Sequence, residues 1–189
     1  RNDGMGEGLR VIYGGGFSIP SNSVLTSDPF FLNGEEKTDH RHFSLSTGSY
    51  KYIIETQLFF KQPANPVFYG GFLTYEHPIS ENEYNYIPPP LLNLSLSATF
   101  KRFDERDSSI GYGLGILQSG QGYWNEIKEP NSKSLSIAPT LSYLVNSRFG
   151  ALSFNISKPL FLKGSFYSSE GNLGQGSNIW QFTVSFRKV

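Results

Sequence analysis

Residues 108–119 read Ser-Ser-Ile-Gly-Tyr-Gly-Leu-Gly-Ile-Leu-Gln-Ser, and residues 178–187 read Asn-Ile-Trp-Gln-Phe-Thr-Val-Ser-Phe-Arg. In both stretches every second side chain is large and apolar: Ile110, Tyr112, Leu114 and Ile116, then Trp180, Phe182, Val184 and Phe186. Most of the residues between them are Gly, Ser, Thr or Gln. Side chains of a strand alternate between its two faces. One face of each strand is therefore bulky and apolar, and the other is small or polar. In a closed barrel with the small residues inside, the bulky rings point outward, as they do toward lipid.

The same period of two marks further strands. In 91–104, Leu92, Leu94, Leu96, Ala98 and Phe100 alternate with Asn93, Ser95, Ser97, Thr99 and Lys101. In 134–145, Leu135, Ile137, Leu141 and Tyr143 alternate with Ser136, Ala138, Thr140 and Ser142. In 149–160, Leu152, Phe154 and Ile156 alternate with Ser153, Asn155 and Ser157. With 8–19, 46–62, 66–77, 108–119 and 178–188, the pattern predicts eight strands. The segment 66–77 is readable in either phase. A bulge is expected in 46–62, because Phe43 and Leu45 are out of step with Tyr50, Tyr52 and Ile54. Pro139 cannot donate to a ladder, so a bulge or a position near the rim is expected there too.

The connections alternate in length. Residues 62–66, 104–107 and 146–148 are tight turns, whereas 20–45, 78–90, 120–133 and 161–177 are long and rich in Gly, Ser, Asn and Pro. An even strand number then puts both ends of the meander on the short-turn side. These features resemble the small eight-stranded bacterial outer-membrane proteins, of the OmpA membrane-domain and OmpX type. The resemblance covers essentially the whole chain and rests on architecture. It implies one domain over 1–189, an all-β, eight-stranded antiparallel up-and-down transmembrane β-barrel with short periplasmic turns and long external loops. It also implies outer-membrane lipid and lipopolysaccharide as surroundings, barrel-assembly machinery during insertion, and export with a cleaved signal peptide. The final alternating strand, Trp180, Phe182, Val184 and Phe186, resembles the assembly signal of such barrels, although Arg187, Lys188 and Val189 follow it. The competing architecture is a soluble barrel of the lipocalin or avidin kind, with the apolar face inward.

Composition narrows the chemistry. The 189 residues carry 16 basic and 16 acidic side chains, with no basic tract, which speaks against a nucleic-acid partner. There are no cysteines, so disulfides, thiolate metal sites and thiol nucleophiles are excluded. No apolar run approaches the length of a membrane helix. No cofactor and no metal are expected.

Candidate sites fall into three groups. Arg10, Lys51, Glu55, Gln57 and Lys101 are predicted to face inward with Asn93, Asn155, Gln181 and Arg187. Charges enclosed by a narrow barrel must pair, so a network centred on Glu55 with Lys51, Arg10 or Lys101 is expected. Tyr84, Tyr86, Tyr123, Trp124, Phe166 and Tyr167, together with Phe30 and Phe31, supply rings to the long loops. Such rings suit contact with another molecule, here a partner protein or surface ligand, including a larger membrane complex. The alternative is that they pack on one another. The third group is Asp39-His40-Arg41-His42-Phe43-Ser44. His42 and Ser44 share a strand face, and outer-membrane lipid A deacylases use a His-x-Ser arrangement in which the histidine activates the serine. That family continues with Asn where this chain has Leu45. The expected function is a non-enzymatic structural or interaction role. A lipid-modifying hydrolase using His42 and Ser44, or a narrow channel for small or apolar solutes, is the alternative.

Overall fold

The computed structural model describes residues 6–21, 23–24, 46–102, 108–164 and 179–188. Among these residues the chain is all β, with antiparallel strand pairing throughout its ladders and no helix. Eight strands form one consecutive meander: β1 (Gly8–Ser18), β2 (Lys51–Lys61), β3 (Phe68–Pro78), β5 (Leu91–Lys101), β6 (Ser108–Ser119), β9 (Ser134–Ser147), β10 (Gly150–Ser157) and β12 (Gln181–Arg187). Four short elements lie outside the expected set. β4 (Tyr86–Ile87), β7 (Tyr123–Trp124) and β8 (Ile127–Lys128) make a small sheet among the long loops, and β11 (Leu160–Lys163) pairs with β9.

The ladders sort the side chains onto two faces. One rung joins Tyr13, Thr56, Leu73, Leu94, Ile116, Ile137 and Leu160. The neighbouring rung joins Gly14, Glu55, Thr74, Asn93, Leu117, Ser136 and Phe161. A residue and its direct cross-strand partner lie on the same face, so the apolar and small-or-polar sets predicted strand by strand register with one another across the sheet. The phase of β3 is settled by its neighbours: Tyr69, Leu73 and Tyr75 lie opposite Phe60, Thr56 and Ile54 on the apolar face. Phe68 and Phe72 fall on the other face, where Phe68 stacks on Phe59 with ring centroids 5.9 Å apart.

Nothing among the described residues covers the apolar face. Tyr13, Phe17, Tyr112, Phe182, Val184 and Phe186 are each more than half exposed. Among the described residues the buried Tyr86 and Trp124, and the fully buried Pro88, all belong to the loops. The opposite face is crowded with small residues. A hollow of about 300 Å³ is bounded there by Ser97, Gly111, Gly113, Ala138, Thr140 and Asn155, residues of four successive strands. A Cβ added at Gly111 would collide with the Ser142 hydroxyl.

Three expectations are corrected. The sheet is not closed: β1 and β12 are its edges, and no ladder joins them among the described residues. Followed level from strand to strand, the rungs bring Gly8 into line with Thr183, so the two edges would overlap only at their ends unless they were staggered. The bulge expected in the second strand is absent from β2, which starts at Lys51 and pairs without a register shift. Phe43 and Leu45, the residues that suggested it, lie outside the described residues. Pro139 also produces no bulge. Ser157 faces Thr140 and Leu160 faces Ile137, so the register is kept across the break between β10 and β11. The Lys158 N–H still donates to the Pro139 carbonyl at 3.1 Å. The irregularity lies further along, between Phe161 and Lys163.

Candidate functional site at the loop end

The long-loop end is built from three chain segments. Tyr123-Trp124 and Ile127-Lys128 form a hairpin whose two linking residues, Asn125 and Glu126, have φ of 46° and 65°. That is the left-handed pair a tight two-residue hairpin requires, and asparagine tolerates it. β4 adds to this hairpin, with Tyr86 opposite Trp124 and Ile87 opposite Tyr123. Asn85 is held in the same left-handed region (φ 57°) and its side chain donates to Asn125 Oδ1 at 3.0 Å. Asn82 Oδ1 accepts from the Tyr84 and Tyr86 N–H groups at 2.8 and 2.9 Å. The segment before β2 joins through Ser49 Oγ, which donates to the Tyr86 carbonyl at 3.3 Å, and through Thr47, whose carbonyl accepts from Asn82 Nδ2 at 2.9 Å.

The rings of Tyr86 and Trp124 stack at 4.3 Å and 20° inside this assembly. The Tyr86 hydroxyl donates to Glu129 Oε2 at 3.1 Å, and Glu129 is only 6% exposed. Ser132 Oγ accepts from the Gly122 N–H at 3.0 Å and donates to the Glu129 carbonyl at 3.0 Å, closing the 122–132 loop. Beside this cluster lies a hollow of about 360 Å³, bounded by Thr47, Lys51, Tyr86, Leu91, Glu129 and three prolines, at the loop end of the small-residue face.

This changes the role of the loop rings. Tyr86 and Trp124, expected on a contact surface, are instead the core of the loop assembly, because stacked rings in a polar loop gain more by excluding water than by facing it. Tyr84 remains 38% exposed and Tyr123 is half-buried. Phe30, Phe31, Phe166 and Tyr167 lie outside the described residues. So do Asp39, His40, His42 and Ser44, and His77 is remote in role from any of them: it stacks on Tyr52 at 5.4 Å on the apolar face. Among the described residues no group of three or more His, Cys, Asp or Glu side chains stands together.

The inward polar residues all lie on one face, yet they are not gathered around Glu55. Glu55 Oε1 accepts from Gln57 Nε2 at 2.5 Å. Lys51 forms its ion pair with Glu76 of β3, at 3.8 Å. Asn93 is the β5 residue on the rung of Glu55, and Lys101 lies eight residues along that strand, roughly 27 Å away. Arg10 lies opposite Phe59, on the same face as Glu55's partner Gly14 and four rungs from it.

Phe182, Val184 and Phe186 stand on the apolar face of the last strand, and Trp180 precedes it with the Lys158 ammonium 5.0 Å from its ring centre. Glu129, Asn82 and Asn131 were not singled out from the sequence. The readable signal was turn chemistry: asparagines at 85, 125 and 131 all adopt positive φ, the last at 56°. Comparison with protein-family models, curated proteins and solved structures finds no match to this chain. Among the described residues the chain is an all-β protein built on an antiparallel up-and-down meander, with one apolar face and one mixed face of small, polar and a few large apolar residues.

Proposed function

We propose that this chain is an integral barrel of a bacterial outer membrane whose role is structural or interactive, with the long loops facing water and contacting another molecule. The observation that carries this reading is the uncovered apolar face. Eight strands about 4.8 Å apart, bearing an apolar band about 25 Å tall, amount to on the order of 1,000 Å². A typical soluble monomer exposes patches of roughly 300–600 Å² at most. At about 25 cal/mol per Å² the transfer of this face out of water is worth on the order of 25 kcal/mol, more than the roughly 5–15 kcal/mol net stability of an ordinary domain. Lipid is the solvent that removes this cost.

The arrangement of the face supports the same reading. Its middle is aliphatic, with Leu58, Leu94, Leu96, Leu114 and Ile116. Its two ends are aromatic, with Tyr52, Tyr75 and His77 toward the loops and Phe60, Tyr69, Phe100 and Tyr112 toward the turns. Rings at both borders of an apolar band suit headgroup depth. Tyr52 and Phe60, eight residues apart on β2, are roughly 27 Å apart along the strand, which a tilted strand brings close to the thickness of such a band.

Pairing β1 with β12 would close the sheet into the proposed barrel. A stagger of about eight residues brings Thr183 opposite Gly16, and then all of Gln181–Arg187 faces 12–18. Small or polar residues then meet across the seam on one face, and Phe182 meets Phe17 and Phe186 meets Tyr13 on the other. An even stagger is required, because an odd one would turn each strand's apolar set inward. The test is fractionation of cells expressing the exported chain. It should remain with outer membranes through an alkaline carbonate wash. A folded, monodisperse protein in buffer without any amphiphile would overturn the proposal.

A further inference from the structure

We infer that the hollow beside Tyr86 and Glu129 is a binding site for one uncharged sugar unit. This deepens the interaction reading above and rests on the loop end being the water-facing end. The volume, about 360 Å³, is in the range of small-molecule sites, which often occupy the mouths of β-barrels. More telling is how it is built. Glu129 is 94% withdrawn from solvent by its 6% exposure, and its carboxylate is held in place by the Tyr86 hydroxyl. Gly122 leaves room beside it, since an added Cβ there would displace the Glu129 carboxylate. A buried carboxylate at the wall of an open hollow is a preorganised acceptor.

Charge decides the ligand class. Lys51 also lines the hollow, and its ammonium is anchored to Glu76 at 3.8 Å. A cation would meet Lys51, and an anion would meet Glu129. A neutral polyol uses both, accepting from the ammonium and donating to the carboxylate, while the Thr47 hydroxyl can do either. The remaining wall combines Tyr86, Leu91 and the rigid rings of Pro88, Pro89 and Pro130 with the polar Asn131 and Ser132. Such an apolar wall with a few placed polar atoms matches a pyranose, whose C–H faces and hydroxyl edges alternate.

The sugar can be free in solution or the headgroup of a glycolipid, and the experiment separates the two. The full chain, folded in nanodiscs without glycolipid, is titrated by saturation-transfer NMR with glucose, galactose and lactose, and with glycine and inorganic phosphate as charged probes. Saturable transfer is expected for at least one neutral sugar, weakened at least tenfold by Glu129→Gln and several-fold by Thr47→Val, and unchanged by Ser153→Ala in β10. If Glu129→Gln does not fold, Thr47→Val provides the reading. Competition by glycolipid-containing nanodiscs would assign the site to a membrane glycan, and its absence to a free one. No saturable sugar signal, tighter binding of glycine or phosphate, or indifference to both variants would overturn the inference. Such a failure in a chain that still inserts into lipid would leave the barrel proposal standing.

Discussion

Tyr86 stacks on Trp124 at 4.3 Å, although 38 residues of chain and two strands of the main sheet separate them. The contact joins two loops that leave the sheet on either side of β5 and β6, and it buries both rings. Here the hydrophobic core of the described chain lies in its loops, while the sheet presents its apolar face outward. The predictions below follow from that inversion.

Trp124→Ala should dismantle the loop assembly and spare the sheet. Removing a buried Trp costs about 3–5 kcal/mol, and the loss is confined to contacts among 47–49, 82–87 and 121–132. Limited proteolysis of the lipid-inserted protein should cut within the loops of the variant and leave the strands protected. Uniform loss of strand protection would contradict this division.

A charge on the apolar face should be costly where the same face is aliphatic. Leu96→Lys, in the middle of β5, is expected to destabilise the lipid-inserted protein by about 2–4 kcal/mol in a urea titration. Ser97→Asn, one residue along and on the opposite face, should cost much less. Equal effects would mean that the two faces share one solvent.

The seam can be trapped. The Gly16→Cys, Thr183→Cys pair should oxidise to an intramolecular disulfide in the membrane, and an added Cβ at Gly16 meets nothing within 4 Å. Gly16→Cys with Phe182→Cys places the two thiols on opposite faces and should not. Disulfide-linked dimers from the first pair would point to edge pairing between two copies.

Gly150→Ala should weaken the junction between the last two long strands. Gly150 has φ of 143°, and an added Cβ would press on the Arg187 carbonyl and the Phe186 ring. Strain of this kind costs about 1–3 kcal/mol. A lower urea midpoint for the folded form is expected, and an unchanged midpoint would refute it.

The period-two pattern made all eight long strands legible, because facing is a local property of a pleated chain. Residues 108–119 could be placed to the residue, and the strand read at 91–104 starts where β5 does, at Leu91, but runs three residues past its end at Lys101. That Lys51, Glu55 and Gln57 share one face was equally readable. Which charges meet was not, since Lys51 reaches Glu76 only through the register of β2 against β3. Pro139 shows the same limit: its missing N–H announced an irregularity, but the neighbouring strand absorbed it without changing register.

The sequence by itself therefore determined the strands, their two faces and the alternation of short and long connections, all of which are set by residues a few positions apart. Tertiary structure alone decided that Tyr86 and Trp124 form a buried stack, that Glu129 is enclosed beside them, and that the sheet's edges stand at Gly8–Ser18 and Gln181–Arg187. These depend on segments some 40 or more residues apart arriving at one place. Their loop-closure entropy and packing leave no periodic trace in the chain.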